Sequence, residues 1–400
     1  MVHPFLTHAD NVLPSGGQSV SARRTVDLLV IGAGVMGLWL ALKAGRAGVK
    51  TLLVDAKAPA SGASGGLLGA LMAHTPDRWN EKKQFQFDAL VQLEEEIARL
   101  EAETGLSCGY SRCGRLIPLP KPHLREIAER NGEDAVLRWQ NGERRFDWRV
   151  LDAPADPDWL SPDMCAAGLI EDGLAGRVSP RSLIVALVAA CDQLPTVSRL
   201  DGEAVPKLLA DRAVLSNGED ILFGQAVVAA GVGSFALLDG LGPVLSRPLG
   251  RGVKGQAALV QVDVPADAPI IYLNGVYVVP HEDGRVAIGS TSEEEFDAPF
   301  DTDHRLDALV EKARALCPAI AEAPVVERWA GLRPRAVDRD PMIGPHPDAP
   351  NVFALTGGFK VSFGIAHRLA DMVLRGMAGQ PMVVPGSYLL AHHLKVASTE

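Results

Sequence analysis

Cysteine is scarce, five in 400 residues: Cys108, Cys113, Cys165, Cys191 and Cys317. Their scatter and odd number match no zinc spacing, so no metal is expected, and they suit a reducing, cytoplasmic setting. Positive charge is short too. Lys and Arg total 39 against 49 Asp and Glu, a formal charge of −10, which excludes the basic footprint of a nucleic-acid binder. No apolar run reaches membrane-spanning length, which leaves only peripheral membrane contact open. Arg23-Arg24 before an apolar run has the outline of a twin-arginine signal, but no cleavage site follows. What remains, with 47% hydrophobic and 22% charged residues, is an ordinary globular composition, long enough for two full cores.

The stretch Val26 to Val54 organises the chain. Leu28 to Ile31 has the length and branching of a buried parallel strand. Gly32, Gly34 and Gly37 follow at GxGxxG spacing, Leu38 to Ala47 is helix-like, and Thr51 to Val54 is a second strand ended by Asp55. The three glycines allow a tight turn, close approach of backbone to a pyrophosphate, and helix-on-strand packing. The helix N-terminus offers free N–H groups to phosphates, and Asp55 can accept both ribose hydroxyls of an adenosine. Strand, turn, helix, strand and acid stand in the order that dinucleotide binding requires. A second small-residue loop, Ser61 to Ala70, comes just after Asp55. A nicotinamide site has no need of it, whereas a flavin site does. Gly231 to Ala236 is formally a second GxGxxA, but no strand ending in an acid follows it. It is expected to return the chain to the first sheet.

The fold class expected is α/β: a discontinuous Rossmann-like cofactor domain and a second α+β domain built on an antiparallel sheet. Residues 1–24 read as a flexible arm. Segments 25–77, 165–245 and 325–400 are assigned to the cofactor domain, 78–164 and 246–324 to the substrate domain. Arg78 to Thr104 has the periodicity of a long helix. Cys108 to Trp159 reads as short strands with turns at Asn131-Gly132 and Asn141-Gly142. Ser179-Pro180 starts a helix. Gly255 to Val264, Ile271 to Pro280 and Gly284 to Gly289 are β-like, and Asp303 to Ala321 is helical. Near the end, the strand Val352 to Leu355 leads through Thr356-Gly357-Gly358-Phe359-Lys360 into a helix from about Phe363.

Read together, these marks resemble the D-amino-acid oxidase, glycine oxidase and sarcosine oxidase family of FAD enzymes, from about Val26 to Gly376. They are the Gly32 to Gly37 fingerprint with Asp55, the loop Ala63-Ser64-Gly65-Gly66, Val227 to Gly231, Tyr277 to Pro280, Gly331-Leu332-Arg333-Pro334, and Thr356 to Phe359. Gly66 to Ala70 and Trp329 to Pro334 look most like glycine oxidase. The resemblance implies FAD held by Gly32, Gly34, Val35, Met36, Gly37, Asp55, Ala56, Ser61, Ser64, Gly65, Gly66 and Leu67. Val205, Gly231 and the turn Gly357, Gly358, Phe359, Lys360, Val361, Ser362 and Phe363 complete that set. It also implies that Arg333 grips a substrate carboxylate and that Tyr277 hydrogen-bonds it, and Lys360 is taken with them as a catalytic-site candidate. Hydride would pass from the substrate Cα to flavin N5, and the resulting imine would hydrolyse to an oxo acid. Oxygen or another acceptor would take the electrons, and a homo-oligomer is possible.

Two departures weigh on the substrate. Glycine oxidase has arginine where this chain has Lys360, and many relatives have arginine at His281. Lysine keeps the charge but loses the planar fork, so the substrate need not be glycine. The stretch Pro334 to Met342, which carries the flavin-linking cysteine in sarcosine oxidases, has none here, so FAD should be non-covalent. Structural roles stay open: Arg333 could pair with Glu327 or Asp338, Tyr277 could be a core residue, and Lys360 could serve the flavin. His74, His281 and His367 read as surface or satisfied histidines rather than bases. Rival functions are a dehydrogenase feeding a quinone or protein carrier, a 2-hydroxy-acid oxidase, and a non-catalytic flavoprotein subunit.

Overall fold

The computed structural model describes residues 23–265 and 267–399. The arm expected over residues 1–24 lies outside the described residues, apart from Arg23 and Arg24, which open the first strand, Arg23–Ile31. That strand is central in its sheet. Thr51–Asp55 lies parallel on one side and Asp220–Val228 parallel on the other, so Leu28 to Ile31 are buried on both faces and need no polar alternation. Val197–Asp201 adds a parallel edge beyond Thr51–Asp55, and Ala349–Thr356 pairs parallel with Asp220–Val228. The turn after the first strand is made at Gly32, with φ +109°, a conformation side chains resist.

One layer of helices covers this sheet. α1 (Val35–Arg46), α2 (Glu81–Thr104) and α4 (Pro180–Asp192) share a core with α7 (Ser362–Met377). Between α2 and α4 in the chain comes α3 (Pro122–Arg138). Lys43 of α1 pairs with Glu96 of α2 and, at 3.0 Å, with Asp371 of α7. The opposite face packs on α5 (Gly233–Asp239) and α8 (Leu390–Ser398). Gly231 thus leads into a short helix beside the first sheet.

The second sheet runs in the order Val325–Ala336, Gly250–Gln261, Arg285–Gly289, Val276–Pro280, Ile270–Leu273, Arg115–Pro118, Leu169–Asp172, Trp148–Leu151. It is antiparallel except where Ile270–Leu273 meets Arg115–Pro118. α6 (His304–Leu316) covers one face. The other face carries Ala257, Leu259, Val279 and Ala287, with Tyr277 and Trp329 beside them.

Several expectations change. Asn131-Gly132 is no turn: both lie inside α3. Asn131 is buried and Gly132 fits against the Trp148 indole, so packing overrides the turn chemistry. Asn141-Gly142 does form a hairpin turn, with Gly142 at φ +59°. The edge strand Val197–Asp201 had no separate signal in the sequence. Three pieces pack with elements outside the segments assigned to them. α2 packs on α4 and α7 of the first sheet, while Leu169–Asp172 and Val325–Ala336 are strands of the second. All five cysteines are free. Among the described residues no helix is long and apolar enough to cross a membrane.

Candidate active site

The C-terminal ends of the parallel strands open onto a cavity of about 1090 Å³, closed on its far side by the second sheet. Crevices at strand ends of open α/β sheets are where such folds bind ligands. Gly32, Gly34, Asp55, Ala56, Val205 and Gly231 line one end. Asp55 Oδ2 accepts the Ala33 N–H at 2.6 Å and Oδ1 the Lys57 N–H at 2.9 Å. A carboxylate has about four acceptor positions, so Asp55 keeps capacity for hydroxyls. The expected row of free N–H groups on α1 is one shorter than anticipated. Ser64 Oγ, 3.0 Å away, accepts the Val35 N–H, and so ties the second loop to the fingerprint.

Val35, Met36, Ser61, Ser64, Gly66 and Leu67 line the middle, and Phe359, Lys360, Val361, Ser362 and Phe363 the other end with Tyr277 and Arg333. Four expected residues stand behind the wall instead. A Cβ on Gly37 would overlap the Gly32 carbonyl oxygen, and one on Gly65 the Ala60 carbonyl oxygen. Gly357 turns the chain at φ +74°, and Gly358 lies against Met36 and Ser362. These four shape the turns rather than face the cavity.

Arg333 comes from the long strand Val325–Ala336, at the seam of the two sheets. Its Nη1 donates to Ser290 Oγ at 2.8 Å; its Nη2 donates to the Lys254 carbonyl at 3.3 Å and to the Thr291 carbonyl. Both alternative ion-pair partners are engaged elsewhere: Glu327 with Arg181 and Asp338 with His392. Among the described residues Arg333 has no salt-bridge partner, and its buried Nε has no hydrogen bond. Burial lowers its pKa to about 10, against the pull of Tyr277 and Glu293, so it is still a cation at neutral pH.

The hairpin Ile270–Leu273/Val276–Pro280 sets Tyr272 opposite Tyr277, ring centroids 4.7 Å apart. Burial, then Tyr272, pushes the Tyr277 hydroxyl up to about 12, leaving it a neutral donor. Phe359 has φ +47°, an uncommon conformation for a bulky residue that is concentrated at functional sites. Its ring centroid lies 5.6 Å from the Arg333 guanidinium and 5.5 Å from Lys360 Nζ. Lys360 is an exposed residue, and partial burial, then the Arg333 charge, lower its pKa.

Sequence reasoning gave no site role to Tyr272, Trp329 or Arg115 and set His74 aside as surface or satisfied, yet all four are in the wall. Tyr272 was recoverable from its symmetry with Tyr277 about Asn274-Gly275; Arg115 gave no signal. Arg115 is 4% exposed and pairs with the fully buried Asp172. Burial, then Lys83 and Arg115, lower the pKa of His74. His281 lies outside the wall, bonded to the Leu67 carbonyl at 3.1 Å, and His367 is sealed in the core against Trp39. No cysteine lines the cavity.

A parallel sheet with a glycine turn, an acid ending its second strand, and a cavity running from that acid to a half-buried arginine define a dinucleotide-cofactor oxidoreductase. The model for the FAD dependent oxidoreductase family, DAO, matches residues 27–372, and the chain belongs to that family. FAD is therefore its cofactor. The chain is 29% identical over 368 residues to the bifunctional protein ThiO/ThiG of Nostoc sp., covering 87% of this chain and 52% of that protein. It thus spans about half the length of that relative. It is 27% identical over 388 residues to the glycine oxidase of Pseudomonas aeruginosa, covering 92% of this chain and 99% of that one. The crystal structure of glycine oxidase from Geobacillus kaustophilus superposes with a TM-score of 0.80 at 20% identity, covering 92% and 98% of the two chains. The cavity fits the cofactor. A Cβ on Gly34 would approach only Ser64 Oγ, and one on Gly231 would meet nothing within 4 Å, so backbone is bare at both of these places in the wall.

Proposed function

We propose that this enzyme oxidises the C–N bond of a small amino acid or N-substituted glycine to an imine, which hydrolyses to an oxo acid. The observation that carries this reading is Arg333, a half-buried cation without a salt bridge among the described residues, facing the cavity at the end away from Asp55. The fingerprint, Asp55, the Ser61 to Leu67 loop, Val205 and Gly231 would hold the adenosine and pyrophosphate of FAD; the Gly357 to Phe363 turn would flank its ring. When bound, FAD supplies the two-electron acceptor for hydride from the substrate Cα. Arg333 would grip the carboxylate with its planar fork, and Tyr277 would donate to the same group. The surrounding apolar wall would exclude water from the reacting carbon. The absence of cysteine from that wall supports a non-covalent cofactor. One part of the chain would hold the cofactor and another the substrate, in a cytoplasmic enzyme whose electrons go to oxygen or another acceptor.

A second reading, oxidation of a 2-hydroxy acid, draws on His74, the histidine in the cavity wall, whose lowered pKa keeps it neutral and able to take a hydroxyl proton. One experiment separates the two. The holoenzyme is mixed anaerobically with glycine, sarcosine, D-alanine, amino diacids and 2-hydroxy acids, and loss of flavin colour is followed. Bleaching by amines supports the first reading; bleaching by hydroxy acids alone overturns it. Recovery of colour in air, or only on adding a quinone, then identifies the acceptor.

A further inference from the structure

The charged side chains in the cavity wall are unevenly distributed. They are Asp55, Lys57 and Glu203 at one end, and His74, Arg115, Arg333 and Lys360 toward the other. Glu203 belongs to the Asp55 end, since its N–H donates to the Asp55 carbonyl. Among the described residues, the Arg333 end therefore has basic side chains and no acidic one in its wall. Arg115 is neutralised by Asp172 behind it. Glu293, near Arg333, is matched by Arg305 at 2.6 Å and Lys254 at 3.8 Å, and Asp303 by Lys254 at 3.6 Å. Two positive charges are left over. Neither Arg333 nor Lys360 has a salt bridge among the described residues, and both flank the Phe359 ring, within 5.6 Å of its centroid.

The Arg333 charge acts on Lys360; like charges about one ring repel each other, a cost that an anion between them relieves. One carboxylate balances one of them. We propose that the substrate carries two acid groups, one held by Arg333 and the other by Lys360, so that the enzyme prefers amino diacids to glycine-like monoacids. The inference rests on the proposed function for the role of Arg333. It adds that the lysine marks a second acid subsite, where an ammonium's point charge suits a flexible distal acid.

Binding and turnover test it separately. Holoenzyme is titrated with succinate and with butyrate, reading the shift of the flavin spectrum. Succinate should bind at least tenfold more tightly, Lys360→Met should remove that advantage, and Lys360→Arg should retain most of it. In turnover, N-carboxymethylglycine and both enantiomers of aspartate and glutamate are compared with glycine, sarcosine and alanine. The best diacid should exceed the best monoacid in kcat/KM by at least tenfold. Lys360→Met should cut the diacid value at least ten times more than the monoacid value. Equal binding of succinate and butyrate, or equal losses for both substrate classes, would overturn the proposal and assign Lys360 to the cofactor side. If no amine is oxidised but succinate still binds preferentially through Lys360, the diacid site stands and the C–N reading falls. Oxidation of monoacids without any diacid preference gives the reverse.

Discussion

Arg333 is oriented by three oxygens, and none carries a full charge: a serine hydroxyl and two backbone carbonyls. Neutral acceptors fix the guanidinium without consuming its charge, which stays available to a substrate acid. Loss of one member of a buried charge pair costs roughly 2–5 kcal/mol. Arg333→Leu is therefore expected to lower kcat/KM by roughly thirty-fold to several thousand-fold, at about tenfold per 1.36 kcal/mol, with normal FAD content. Arg333→Lys should recover part of the loss. Anaerobic flavin reduction with the best substrate measures this; a rate and affinity within threefold of wild type would mean that the acid is held elsewhere. At this scale the sequence was informative wherever a residue belongs to a local motif, as Asp55 and Arg333 do. Arg115 and His74 reach the cavity through long-range pairings and turns, Arg115 through the contact of Arg115–Pro118 with Ile270–Leu273. No local pattern carries that information.

At the level of elements, the strand–turn–helix unit was legible because each part has its own period or glycine. The helix α3 was not. Its inward residues, Ala128, Asn131 and Ala135, keep helical spacing but are too small or polar to register as an apolar stripe, and Asn131-Gly132 imitates a turn. The fingerprint unit itself is tightly packed. α1 can approach the first strand only because Gly37 has no Cβ to meet the Gly32 carbonyl. Gly37→Ala forces α1 outward, an overpacking that costs roughly 1–3 kcal/mol. It should lower the melting temperature and, by moving the Val35 N–H from Ser64 Oγ, reduce bound flavin per chain. Unchanged melting and unchanged flavin content would show that the helix has slack. Arg181 ties the Ser61 to Leu67 loop to the Arg333 strand, donating to the Gly65 carbonyl at 3.0 Å while pairing with Glu327 of that strand at 2.7 Å.

The whole molecule carries several histidines that burial holds neutral: His74, His281, His346, His393 and His367, the last lowered to about 3. Each binds a proton more readily unfolded than folded. Their contribution is complete above the ordinary value near 6.5 and is lost as pH falls toward the folded values. Asp77 and Asp303, held at about 2, add a loss only below the ordinary carboxylate value, while Asp239 and Asp371, raised by burial, work the other way above it. Unfolding in urea between pH 7.5 and 5 should therefore show stability falling with acid, and His367→Gln should flatten that slope whatever it does to stability at pH 7.5. A flat profile in the parent protein would contradict the neutral burial of these rings.

The uneven charge of the cavity also bears on how quickly an anion arrives. The chain as a whole carries −10, whereas the Arg333 end of the cavity holds unmatched positive charge. An approaching acid is repelled at a distance and attracted at the mouth. Dissolved ions act on the first more than the second, since screening reaches about 8 Å at physiological strength and contact lies inside that length. Modest salt should therefore raise the second-order rate of substrate capture before high salt lowers it, which stopped-flow mixing of holoenzyme with the best anionic substrate would record. A decline from the first addition of salt would mean that the local charge, rather than the overall one, governs the encounter from the outset.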